Sequence, residues 1–96
     1  MNEKDLYQQK MQAQLDDWMA KVGILKARAS KASADVQLEM NRQIKTLETL
    51  IEEGKSKLSE LAKSGEDAWK SLKGGVESAW ATMKSAVRDA AARFKG

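Results

Sequence analysis

The chain has no cysteine and no histidine among its 96 residues. Zinc sites of the usual kinds, haem ligation, thiol redox chemistry and catalysis built on imidazole or thiolate are therefore excluded. No disulfide can form, so nothing implies an oxidising compartment. Proline is also absent, and sheet-forming residues are scarce: four Val, three Ile, three Trp, one Tyr and one Phe. That set cannot furnish a sheet core, which rules out all-β and α/β folds. No run approaches the roughly 18 apolar residues of a bilayer-crossing helix. Residues 1–5 (MNEKD) are charged and lack the apolar stretch of a secretory signal. The expectation is a soluble, cytoplasmic protein.

What is present points to helix. Ala, Glu, Lys, Leu and Arg supply 48 of the 96 residues, the composition of coiled coils and long helices. Leu, Ile, Val and Phe number only 17, a level that suggests disorder when net charge is high. Here 17 basic residues stand against 14 acidic ones, leaving +3. The few apolar side chains must therefore be placed periodically if the chain is to fold. So short a chain, with so little apolar volume, is expected to self-associate rather than bury a core alone.

Two apolar registers follow one another. Met11, Leu15, Trp18, Val22, Leu25, Ala29, Ala32 and Val36 keep a heptad-like 3-4 spacing between charged and amide residues. The core of this segment is weak at Ala29 and Ala32. The spacing becomes 4-4 through Val36, Met40 and Ile44, a stutter over 36–44 that locally unwinds a left-handed supercoil. Residues 4–45 are thus one heptad-like segment within a single helical unit, 1–96. From Thr46 onward the period is 11, in the blocks TLETLIEEGKS, KLSELAKSGED, AWKSLKGGVES, AWATMKSAVRD and AAARFKG. The second block position holds Leu47, Leu58, Trp69, Trp80 and Ala91, and the ninth holds Gly54, Gly65, Val76 and Val87. Eleven residues in three turns keep the apolar face almost straight over 46–96.

Two topologies fit. Ser64 can serve as N-cap with Asp67 in capping-box position, or Gly65 can close the preceding helix in left-handed geometry. Either break at 64–67 makes a helical hairpin. Against a break, the 11-residue phase passes Gly65 without a slip, and a near-continuous rod of roughly 90 residues would reach about 135 Å. Gly74 and Gly75 are a second weak point, at about 1 kcal/mol each relative to Ala.

Candidate chemistry is thin. Asp16 and Asp17, Glu52 and Glu53, and Glu66 and Asp67 are adjacent pairs, and adjacent helical residues diverge rather than converge on one substrate atom. A solvated face accounts for them better than general-acid work. Gly74 and Gly75 follow Lys73 without the strand and spacing of a phosphate loop. No catalytic, metal-binding or cofactor-binding residue is expected, and the chain is not expected to be an enzyme. Basic residues are interleaved with acids, as Lys45 with Glu48 and Glu52, which disfavours nucleic acid despite a pI near 9.2. Residues 66–95 form an amphipathic segment whose Trp69, Trp80 and Phe94, with Lys70, Lys73 and Lys84, suit a membrane interface. The competing account is that this face packs on another helix. Trp18, Trp69 and Trp80 fall on register positions and read as core knobs, and an aromatic cluster able to take something apolar requires their convergence.

Three stretches carry a resemblance: YQQKMQAQLDDW (7–18), ADVQLEMNRQI (34–44) and GEDAWKSLKGGVESAW (65–80). They resemble a family of small bacterial coiled-coil stress-response proteins, most specifically in A-W-x-x-L-K-x-G-V-E-x-A-W at 68–80. The resemblance implies a helical intracellular protein linked to stress and supplies no catalytic residues.

The leading expectation is an all-α, non-enzymatic, self-associating coiled-coil or bundle protein, a stress-related scaffold or protective module whose partners are itself or client proteins. Its N-terminal interface residues are Leu15, Trp18, Val22 and Leu25, continued in Leu47, Ile51, Leu58 and Leu61. Its C-terminal ones are Trp69, Leu72, Val76, Trp80, Met83, Val87 and Phe94. The alternative is a peripheral lipid-binding protein, at the inner membrane, using 66–95.

Overall fold

The computed structural model describes residues 2–94, where the chain forms helices α1 (Glu3–Ala29), α2 (Ala34–Lys63) and α3 (Ala68–Arg93) and no strand. Two four-residue turns make successive helices antiparallel, so α1 and α3 run parallel. The bundle measures 51 × 19 × 18 Å. The chain therefore does not adopt the rod, and it folds back twice, once more than a simple hairpin. No helix among the described residues is long and apolar enough to cross a membrane.

Local chemistry explains the ends of α1. Asn2 Oδ1 accepts from the Asp5 amide at 2.9 Å, and Glu3 and Asp5 lie in the first turn, with Lys26 and Arg28 in the last. Both charge placements complement the helix dipole. At the other end Ser30 Oγ donates to the Ala27 carbonyl at 2.8 Å. The Lys31 and Ala32 amides then tighten onto the Arg28 and Ala29 carbonyls. A turn at 30–33 thus interrupts the segment 4–45. It falls where the register offers only alanines to bury and where serine hydroxyls offer the backbone alternative partners.

The stutter takes on a different meaning in this light. The buried set of α1 is Met11, Leu15, Trp18, Val22, Leu25 and Ala29. That of α2 is Met40, Ile44, Leu47, Ile51, Gly54, Leu58 and Leu61. Each set alternates four- and three-residue steps, while Val36 between them is 45% exposed. The 4-4 step therefore lies in the first turns of α2, where the exposed Val36 precedes a new stripe that begins at Met40.

The second turn departs from both local expectations. Ser64 closes α2, its hydroxyl donating to the Leu61 carbonyl at 2.6 Å, instead of capping α3. Asp67 precedes α3 without a side-chain cap bond, and Gly65 does not take a positive φ. Lys4 ties this end together, its ammonium donating to the Ser64 carbonyl at 2.6 Å. A cation on the last carbonyls of a helix also meets the negative end of its dipole.

The core is wholly apolar: no polar or charged residue is buried among the described ones. Leu15, Leu47, Leu61, Val76 and Met83 are its largest fully buried side chains. Gly54 lets α3 approach α2 closely. A Cβ there would lie 2.8 Å from Met83 Cε and 3.2 Å from Trp80 Cζ3, so no larger residue fits without displacing the indole. Trp80 satisfies its own N–H by donating to the Met11 carbonyl at 3.2 Å, as a buried indole must.

Candidate functional site between α1 and α3

The stripe expected at an oligomer interface lies inside one chain. Leu15, Trp18, Val22, Leu25, Leu47, Ile51, Leu58 and Leu61 are buried. So are Trp69, Val76, Trp80, Met83 and Val87, while Leu72 and Phe94 are half-buried against them. The premise that the stripe needs a second chain is thereby corrected, because two turns bring three narrow stripes together. Ala90 joins this core as well, a small side chain that suits close helix–helix contact. Gly54 was visible only as a repeat position.

The residues considered for a membrane face divide. Trp69 and Trp80 are 6% and 4% exposed, so in the folded bundle their rings are turned away from any lipid surface. Lys70 and Lys84 are exposed, Lys73 is partly covered and Phe94 is half-buried. The C-terminal Lys95 of that segment lies outside the described residues. The adjacent carboxylates Asp16 and Asp17, Glu52 and Glu53, and Glu66 and Asp67 are all exposed.

Two of the three tryptophans converge. Trp18 and Trp80 meet edge-on, with centroids 6.2 Å apart at 61°, an arrangement favoured by the ring quadrupoles. Trp69 instead pairs with Tyr7, at 5.7 Å and 42°. The Lys73 ammonium sits 5.2 Å from the Tyr7 ring centroid. Tyr7 donates at long range to the Lys73 carbonyl, 3.5 Å, and to Glu77 Oε1, 3.4 Å. Burial, and then the Glu77 charge and hydrogen bond, push the phenol up to about 12.

Helix α2 packs more extensively on each neighbour than α1 and α3 pack on one another. The looser side holds a groove of about 530 Å³. Trp18, Trp80, Val87 and the small Ala81 and Ala91 form its apolar part. Its polar lining carries Lys21, Lys84 and Arg88 against one carboxylate, Asp17, with Gln14 alongside. Asp17 is engaged by Lys21 at 3.0 Å. Among the described residues Arg88 pairs with its exposed neighbour Asp89 alone, at 3.9 Å, and no acidic side chain pairs with Lys84.

Comparison with protein-family models, curated proteins and solved structures returned no match.

Proposed function

We propose that this protein is a non-enzymatic helical interaction module that associates with a second copy of itself, in the stress-related scaffold role that its sequence resemblance implies. The observation that carries this reading is a row of exposed apolar side chains on the outside of α1, interrupted by Lys10 and Asp17, that is left over once the core is complete. Leu6 and Ile24 are 55% and 54% exposed and are separated by about five turns at 3.6 residues per turn, so they share one face. Ala13 and Ala20, both exposed, fall between them at heptad spacing. Small residues between large ones let two helices approach closely, and the narrow stripe suits a coiled-coil-like seam.

Sedimentation velocity of the full chain across about 1–100 µM tests this. A concentration-dependent rise above the 10.6 kDa chain mass is expected, reversed in Leu6→Glu/Ile24→Glu with helicity retained. A wild-type monomer throughout that range would remove self-association from the account.

A further inference from the structure

We propose that the groove between α1 and α3 binds one amphipathic carboxylate, an apolar chain ending in an anionic head, of the size of a medium-chain fatty acid. The groove's volume of about 530 Å³ falls in the range of small-molecule sites, roughly 300–1,000 Å³. Its composition has the two parts such a ligand needs. Trp18 and Trp80 with Ala81 and Ala91 give the chain an apolar bed, and the alanines leave the room that larger side chains would fill. Lys84 and Arg88, one helical turn apart on α3, supply positive charge that the described acidic residues leave largely uncompensated. A carboxylate there receives charge-assisted hydrogen bonds, and Arg can offer two in parallel.

Length and depth select this occupant over larger ones. The lining runs from Gln14 to Lys21 on α1 and from Trp80 to Ala91 on α3, about 10 and 16 Å at 1.5 Å per residue. That accommodates one short chain but not the several turns over which a docked helix distributes its anchors. A bilayer is a poor fit as well, because the Trp18 and Trp80 rings are recessed, with 7% and 4% of each residue exposed. The groove is complete in a single chain, so the proposal stands or falls independently of self-association.

The test is titration of the full-length protein with dodecanoate below its micellar concentration, followed by tryptophan fluorescence and by calorimetry for stoichiometry. A saturable change at one ligand per chain is expected, with dodecanol binding at least tenfold more weakly. Lys84→Gln/Arg88→Gln, both on the exposed surface, should weaken dodecanoate at least tenfold. Ala91→Phe, which fills the groove from an exposed position, should abolish the saturable change while circular dichroism stays helical. Absence of saturable binding, equal affinity for the alcohol, or undiminished binding by the double variant would overturn the proposal. So would a response confined to phosphatidylglycerol vesicles, which would assign the site to a membrane surface.

Discussion

Helix α2 and the facing sides of α1 and α3 solve the same packing problem differently. Along α2 the buried residues run in unbroken 4-3 alternation, and Gly54 draws the Trp80 ring and Met83 tightly against the helix. Between α1 and α3 the contacts are ring edges, one buried indole bond, a long phenol bond and a groove bordered by lysine and arginine. The glycines differ by position. A Cβ at Gly54 would press on two side chains, whereas Gly74 and Gly75 in α3 have nothing within 4 Å. A stripe of apolar residues therefore does not by itself decide how tightly a seam closes. The size of the residue opposite each ring does.

The strongest way to break this contrast is Leu15→Ala. Leu15 is fully buried and its Cδ2 lies 3.4 Å from where a Cβ on Gly54 would stand, so it belongs to the tight region. Urea unfolding should show a loss of about 3 kcal/mol, within the 2–5 typical of such deletions. Lys84→Gln on the groove should change stability by under about 0.5 kcal/mol, as exposed substitutions do.

Gly54→Leu comes next, with an expected loss of about 1–3 kcal/mol from overpacking and a change in Trp80 fluorescence as the ring is displaced. Gly74→Ala and Gly75→Ala should move the other way, each stabilising by about 1 kcal/mol through helix propensity alone. Thermal melts of all three variants would show whether the same residue type has opposite roles in α2 and α3. Stabilisation by Gly54→Leu would mean that the α2 seam is not tight.

The smallest expected effect concerns Tyr7. Its pKa is raised from 10.0 to about 12 in the folded protein, so the phenol's contribution to stability is complete below pH 10. It is lost as pH rises from 10 through 12, because the unfolded chain ionises first. Tyr7 is partly open to water, which screens the effect. Unfolding curves of wild type and Tyr7→Phe should therefore converge over that interval, and parallel curves would remove the linkage.

The registers by themselves mark nearly all of the core. Leu15, Trp18, Val22 and Leu25 lie where the 3-4 spacing put them, and Trp69 and Trp80 at the second block position and Val76 and Val87 at the ninth are buried too. The turns were harder to see. The chain reverses at 30–33 without Gly or Pro, and the only trace was a pair of alanines followed by a 4-4 step. At 64–67 the persistent 11-residue phase argued for continuity, yet a four-residue turn occupies the register position of Gly65 and α3 resumes in phase at Trp69. The phase records which residues are apolar, not whether the helix between them is unbroken. The groove left less of a trace, since Trp18 and Trp80 are distant in sequence and Lys84 resembles any other surface lysine.

Composition and spacing alone determined that this chain is helical, that it lacks thiol and imidazole chemistry, and which side chains leave water. Those properties depend on residue type and on helical geometry, both of which are local. Only the tertiary structure decided that the stripes close on one another within a single chain, where the chain turns, and which tryptophans meet. Ser30 and the neighbouring alanines permit a turn at 30–33, but most of the free energy that selects it lies elsewhere. It comes from burying Leu15 beside Gly54 and Trp80 beside Met11, contacts that exist only after the chain has folded back twice.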